Sequence, residues 1–207
     1  YALDRQAIVD GAMFGYGTPI GSHFAPHNPA YIDLTGMYAH NPAKAKALLA
    51  EAGHGDGLEL SLKLPPPSYA RRGGEIIADQ LSKVGIKAKI EAVEWAQWLD
   101  QVYKKKNYDL SIVSHVEPND INIYARKNYY FQYDNPEFNA IIDKADTTAD
   151  PAERAKHLQA AQRKLAEDAV NGFLFQLART AVMKKGLKGV WKNSPMFVND
   201  LVGMHWE

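Results

Sequence analysis

The most constraining feature of this sequence is a stretch in which every second residue is leucine. Residues 58–64 read LELSLKL, and this period of two predicts a β-strand that buries one face. Three prolines at 65–67 end the strand, because proline has no backbone N–H to donate to a neighbouring strand. An all-helical bundle is therefore not expected.

After the prolines, the apolar pattern switches repeatedly between helical and strand spacing. A helix is predicted from Ser68 to about Val84, a strand at 86–93, a helix from about Glu94 to Lys106, and a strand at 109–116. The residues expected to face inward from the helix at 94–106 are Trp95, Trp98, Leu99 and Val102. This alternating order predicts an α/β fold, most simply with parallel strands.

Outside this unit, helix starts are marked by a capping residue followed by proline. Such pairs stand at 41–42, 135–136 and 150–151, where the first residue caps the helix and proline fits its first turn. A further helix is predicted from about Leu3 to Met13, followed by a long loop to about Ala39. Residues 170–177 have strand character, and the tail beyond them is rich in loops.

Composition narrows the function classes. The 207-residue chain carries 24 Lys+Arg against 24 Asp+Glu, so no net charge draws it toward nucleic acid or an anionic membrane. Without cysteine it forms no disulfide, zinc–thiolate site or thiol nucleophile. No apolar run approaches the ~20 residues of a membrane-spanning helix. The length fits one large domain or one domain with a tail.

Three short groupings suggest binding chemistry but are better explained structurally. Gly15 and Gly17 follow a helix and lack the other residues of a phosphate-binding loop. His23 and His27 have a metal-pair spacing, but Pro26 separates them and no third ligand stands nearby. A lysine run at 104–106 closes a predicted helix, where positive charge is favourable. We therefore expect no metal site and no cofactor, and no catalytic motif is present.

One loop combines groups that suit binding. Residues 114–120, SHVEPND, place an imidazole and two carboxylates at the C-terminal end of the third predicted strand, where ligands bind on open α/β sheets. The loop leads into Tyr124, Arg126, Tyr129, Tyr130 and Phe131. A solvated loop is the alternative interpretation, but polar and aromatic groups gathered at a strand end favour a binding cleft.

Several segments, in order along the chain, resemble a known protein family. They are LDRQAIVDGAMFGYGTPIGS, NPAKAKALLAEAG, GLELSLKLP, IADQLSKVGIKAKIEAVEWAQWLDQV and YDNPEFNAIIDKADTTADPAERAKHLQAAQRKLAED. They are typical of family 5 extracellular solute-binding proteins, the dipeptide- and oligopeptide-binding components of bacterial ABC importers. The resemblance covers nearly the whole chain, and it is specific for the family rather than for the ligand.

The resemblance implies a periplasmic binding protein-like (type II) fold, in which two lobes close on a ligand. Residues 1–178 would form the second, C-terminal lobe, a mixed sheet flanked by helices, and residues 179–207 a tail that returns to the first lobe. The protein would be a monomer without catalytic residues or cofactor, either periplasmic or lipid-anchored, with its signal peptide upstream of this chain. Its partners would be a peptide or other small polar solute and the ABC permease subunits, with no nucleic acid.

The family pattern also implies individual ligand-binding positions. Dipeptide-binding members have a Trp near the end of the third strand and an Asp three residues later that pairs with the peptide amino group. Here these positions hold His115 and Pro118, and Glu117 stands one residue before the expected acid. The Arg that receives the peptide carboxylate corresponds to Leu64. A simple dipeptide specificity is therefore not expected.

The backbone from Ser114 to Val116 is expected to bond an extended ligand, as in the oligopeptide-binding members. The predicted ligand-binding residues are Ser114, His115, Val116, Glu117, Tyr130 and Trp95, with Trp95 as part of an apolar wall. Two alternatives stay open: a hydrolase that uses Glu117 and His115 as acid and base, and a stand-alone interaction domain.

Overall fold

The computed structural model describes residues 1–117, 119–192 and 200–207. Within these residues the chain divides into two compact units, Tyr1–Leu177 and Ala178–Glu207. Pro118, which stands at the family's acidic position, lies outside the described residues, as does part of the tail.

Helices and strands alternate along the first unit. In chain order they are α1 (Arg5–Met13), β1 (Gly17–Pro19), α2 (Pro42–Glu51), β2 (Leu58–Leu64), α3 (Ser68–Ser82), β3 (Ile86–Ala92), α4 (Trp95–Trp98), β4 (Leu110–Ser111), α5 (Pro136–Thr147), α6 (Pro151–Glu167) and β5 (Phe175–Leu177). Leu99–Lys104 continue α4 as a π-helix, and Ile121–Ala125 form a 3₁₀-helix.

The three-stranded sheet of this unit has the order β3-β2-β4, and its strands are parallel. The register pairs Leu58 with Ile86 at one end of β2 and Leu64 with Ala92 at the other. Helix α3 connects β2 to β3, and the α4/π-helix segment connects β3 to β4. This arrangement confirms the predicted α/β fold. Antiparallel pairing occurs separately, between β1 and β5.

Helix starts follow the predicted capping chemistry. The side chain of Asn41 accepts a hydrogen bond from the Lys44 N–H, and Asp150 accepts one from the Glu153 N–H. Asn135 caps α5 in the same way, accepting from two backbone N–H groups of the first turn. Each cap pairs donors that the helix itself leaves unpaired, so these boundaries are set locally.

Two predicted strands are shorter than expected. Of residues 109–116 only Leu110 and Ser111 pair, with Leu62 and Lys63, and their partner β2 ends one position later at Leu64, just before Pro65. Residues 112–116 form no strand, and residues 114–116 belong to the candidate site. Of residues 170–177 only β5 pairs, since β1 offers three residues. The predicted loop at 14–39 therefore contains a short strand.

The helix predicted at 94–106 also differs from expectation. Trp98 and Val102 face inward as predicted, but Trp95 is 42% exposed and Leu99 47% exposed. The inward expectation for these two was wrong. Leu99 begins the π-helix, where successive side chains turn differently from those of an α-helix, whereas Trp95 precedes it, at the first position of α4. Trp98 is fixed by its indole N–H, which donates to the Ser111 hydroxyl on β4 at 2.9 Å.

The second unit is small. Its strands β6 (Leu187–Lys188) and β7 (His205–Trp206) pair antiparallel, and the Lys188 ammonium lies 3.1 Å from the Glu207 carboxylate. Among the described residues of both units, no helix has the length and apolar character to cross a membrane.

Candidate ligand-binding cleft

An open cleft of about 350 Å³ lies where the chain leaves β4. Its lining combines an aromatic wall, formed by Trp98, Tyr103, Tyr129 and Tyr130, with a polar side of adjoining residues, His115, Glu117, Asp120 and Arg126. Ligand sites of small molecules typically combine an apolar wall with a few polar groups of this kind.

Five of the six predicted ligand-binding residues line this cleft. They are Ser114, His115, Val116, Glu117 and Tyr130. Trp95 is not among the lining residues, and its neighbour Trp98 holds the wall position instead. The two indole rings meet edge-to-face with centroids 5.7 Å apart, so Trp95 supports the wall from outside the cleft.

The aromatic wall is a packed group rather than a set of loose rings. Tyr130 meets Trp98 edge-to-face at 5.5 Å and lies 4.9 Å from Tyr129. Tyr103, which reaches the cleft from the π-helix, meets Tyr129 edge-to-face at 5.6 Å. The backbone at Tyr130 is held by the Tyr108 hydroxyl, which donates to the Tyr130 carbonyl at 2.7 Å. The wall is therefore preformed.

On the polar side, Asp120 bridges two histidines. Its Oδ1 lies 2.8 Å from His23 Nε2, and its Oδ2 lies 3.2 Å from His115 Nδ1. Burial of Asp120 acts to raise the pKa of its carboxyl, but the hydrogen bonds with His115 and His23 outweigh burial and hold that pKa far below its ordinary value. Asp120 is therefore an anion at neutral pH.

The other ring nitrogen of His115 faces a phenol. His115 Nε2 lies 2.8 Å from the Tyr130 hydroxyl, and the two rings are nearly parallel. Burial raises the pKa of Tyr130 well above its ordinary value, so the phenol stays neutral. Tyr130, His115, Asp120 and His23 thus form one connected chain of polar groups.

His23 is itself held by the interior of the unit. Its Nδ1 lies 3.4 Å from the Tyr124 hydroxyl, and that phenol also bonds the Asn171 amide. The backbone near His23 is tied to α6 by Gln162, whose side chain accepts from the Phe24 N–H at 3.2 Å and donates to the Ala30 carbonyl at 2.7 Å. A segment far from the sheet in sequence therefore supports the cleft.

Several sequence expectations are altered by these contacts. The Ser114 N–H donates to the Tyr69 hydroxyl at 3.0 Å, so it is already bonded within the protein. Leu64, at the position of the family's carboxylate-binding Arg, is 1% exposed and belongs to the interior. His23 and His27 contact different partners, Asp120 and Gln176, and do not act as a pair.

Asp120 belongs to the candidate loop, but the sequence indicates no specific role for it, and it indicates none for His23. The only sequence signal for Asp120 was its position after a strand. His23 had no useful signal, because its contact with Asp120 joins residues 97 positions apart.

The chain is similar in sequence to known proteins over most of its length. The family model for the middle part of bacterial extracellular solute-binding proteins, family 5, matches residues 1–137. Heme-binding protein A of Haemophilus influenzae is 27% identical over 181 residues, which cover 78% of this chain and 32% of that protein. Oligopeptide-binding protein AppA of Bacillus subtilis is 26% identical over 213 residues, which cover 91% of this chain and 39% of AppA.

The fold has counterparts among solved structures. HbpA2 from Haemophilus parasuis superposes with a TM-score of 0.79 and 26% identity, covering 100% of this chain and 43% of that one. The predicted periplasmic binding protein-like (type II) fold is thereby confirmed. The chain spans 32% of the length of heme-binding protein A and 39% of the length of AppA. Because the family model matches well over half of the chain, the protein belongs to the bacterial extracellular solute-binding proteins of family 5.

Proposed function

We propose that the intact protein captures a peptide-like or other small polar solute and delivers it to the permease of an ABC importer. The observation that carries this proposal is the cleft beyond β4, which a preformed aromatic wall lines together with His115, Glu117 and Asp120. The relatives are named for binding heme and oligopeptides, which supports solute binding without fixing one solute.

The proposal includes a first lobe in addition to the residues of this chain. Residues 1–178 would form the second, C-terminal lobe, and the tail at 179–207 would return to the first. The unit boundary at Ala178 and the greater length of the relatives support this division. Such a protein works outside the cytoplasm, in the periplasm or anchored by lipid, where its closed form meets the permease subunits.

The proposed role is binding without catalysis. Both ring nitrogens of His115 contact protein groups, one the Tyr130 hydroxyl and one the Asp120 carboxylate, and the relatives are named for what they bind rather than for a reaction. Glu117 is exposed beside this pair and is the carboxylate best placed to meet a positive group of the solute. The rings of Trp98 and Tyr103 would cover an apolar side chain.

The test is calorimetry on the full-length protein with short peptides that carry either a free or an acetylated amino terminus. We expect Glu117→Gln to weaken binding of the free-amine peptides by about threefold or more, equivalent to ~0.7 kcal/mol, and to leave the acetylated peptides unaffected. Glu51→Gln, an exposed change at the end of α2, is the matched control. Equal loss for both peptide forms would remove Glu117 from amine recognition, and no binding of any peptide would overturn the peptide-like class.

A further inference from the structure

Three side chains at the polar side of the cleft have the types and spacing of metal ligands. One ligand atom from each of His115, Glu117 and Asp120 can be chosen so that all three lie within 4.8 Å of one another. We propose that these three side chains bind a divalent transition-metal ion of the zinc type. This inference does not depend on the identity of the transported solute.

The spacing is close to what such an ion requires. Zinc binds nitrogen and oxygen ligands at about 2.0–2.2 Å, so two ligands of one ion lie at most about 4.4 Å apart. His115 Nδ1 and Asp120 Oδ2 are already 3.2 Å apart. Glu117 is exposed, and a shift of a few tenths of an ångström in its flexible side chain would complete the set.

Two of the three proposed ligands also have the hydrogen-bond partners that usually hold metal ligands in place. A ligating histidine usually donates its second N–H to a neighbouring acceptor, and a ligating carboxylate usually accepts a further hydrogen bond. His115 Nε2 has the Tyr130 hydroxyl at 2.8 Å, and Asp120 Oδ1 has His23 Nε2 at 2.8 Å. These contacts would leave His115 Nδ1 and Asp120 Oδ2 to the ion.

Binding of a cation would change the tautomer of His115. In the hydrogen bond between His115 and Asp120, Nδ1–H donates to the carboxylate. When Nε2–H donates to Tyr130 instead, the neutral ring presents a lone pair at Nδ1. That lone pair and Asp120 Oδ2 are then both acceptors, and an ion between them would satisfy both.

The ligand types select the class of metal. An imidazole nitrogen with two carboxylates suits zinc, cobalt or nickel, whereas calcium and magnesium prefer all-oxygen sites. Three protein ligands would leave at least one coordination position open for water or another ligand. Zinc and a solute ammonium group would compete for Glu117, because each needs the same carboxylate.

The experiment is a zinc titration of this chain against a chromogenic chelator, without solute. We expect one zinc ion per chain, with affinity reduced at least about tenfold by His115→Ala and by Glu117→Gln. His54→Ala and Glu51→Gln change exposed residues elsewhere and should leave the affinity unchanged. Bound cobalt should show the visible absorption of a nitrogen–oxygen site in the parent chain, and Glu117→Gln should change it.

Asp120→Asn disturbs a nearly buried group and can unfold the chain. The exposed substitution Glu117→Gln is therefore the variant that tests the zinc proposal. Equal zinc affinity of the parent and Glu117→Gln chains would overturn the proposal, as would no zinc binding, or magnesium binding as tightly as zinc. None of these results bears on peptide binding by the full-length protein, so the two proposals fail separately.

Discussion

The α5–α6 helix pair and the cleft beyond β4 differ in how far apart along the sequence their contacting residues lie. In the helix pair, local caps set the helix starts and neighbouring apolar faces form the interior, with Phe138 and Leu165 fully buried. In the cleft, the deciding contact joins His23 to Asp120 across 97 positions. We expect the buried apolar side chains of the helix pair to contribute most to the free energy of unfolding. The polar groups of the cleft are arranged by contacts with distant parts of the chain.

This difference predicts which substitutions should change the stability of the fold and which should change binding in the cleft. Changes in the helix pair should cost free energy of unfolding while leaving the chemistry of the cleft intact in molecules that still fold. Changes at the exposed rim of the cleft should do the reverse. Residues that connect the two regions should affect both.

Phe138→Ala should have the largest effect. The side chain is fully buried and meets Tyr133 edge-to-face at 5.5 Å. We expect the free energy of unfolding of this chain to fall by about 3–5 kcal/mol, the usual cost of truncating a buried Phe. Urea unfolding measures the loss. A loss below about 1 kcal/mol would show that the helix pair does not carry the stability of the unit.

Gln162→Ala tests the connection between the two regions. It leaves the Phe24 N–H and the Ala30 carbonyl without their partner, at a cost of about 1–3 kcal/mol. The same change should loosen the segment that carries His23 and accelerate hydrogen exchange at the Phe24 amide. Arg163→Ala, the next residue on α6 and exposed, is the control. Unchanged exchange at Phe24 would separate α6 from the cleft.

Asp109 tests a smaller, pH-dependent contribution at the start of β4. Hydrogen bonds from the backbone N–H and then the hydroxyl of Ser61, each at 2.7 Å, hold the pKa of Asp109 below its ordinary value. A lowered folded-state pKa contributes stability above the unfolded pKa of about 3.9, and the contribution is lost as pH falls through the folded pKa. Asp109→Asn should therefore destabilise at pH 7, by on the order of 0.5 kcal/mol because solvent screens the site.

Urea midpoints of the parent and Asp109→Asn chains should accordingly differ at pH 7 and converge toward pH 3. An equal difference at both pH values would mean that the charge of Asp109 is not what stabilises the contact.

Glu117→Gln should have the smallest effect on folding. Glu117 is exposed, and its nearest described contact is with the adjacent Val116 N–H at 3.3 Å. We expect the free energy of unfolding to change by less than about 0.5 kcal/mol, although ligand and zinc affinities change. Thermal unfolding of the apo chain is the measurement. A marked loss of stability would place Glu117 in the fold rather than in the site.

The sequence predicts the helix starts well, because a cap acts on residues of its own first turn. It predicts the parallel sheet because strands alternate with helices along the chain, but the period of two in LELSLKL does not reveal that Lys63 is also buried. It overestimates β4, since the length of that strand depends on where β2 ends. It places Trp95 in the wall because helical spacing puts Trp95 and Trp98 on one face and does not show that Trp98 alone lines the cleft. The sequence does not predict the contact of His23 with Asp120, since no local pattern specifies a partner so distant along the chain.

The His23–Asp120 contact also bears on the order in which the molecule acquires its parts. Loops that close over many residues cost more entropy and form later than contacts between sequence neighbours. The caps and the α5–α6 pair involve short closures, whereas the polar chain of the cleft must await a closure of 97 residues. During synthesis His23 emerges long before Asp120, so we expect helical structure to precede competence for binding, both on the ribosome and on refolding.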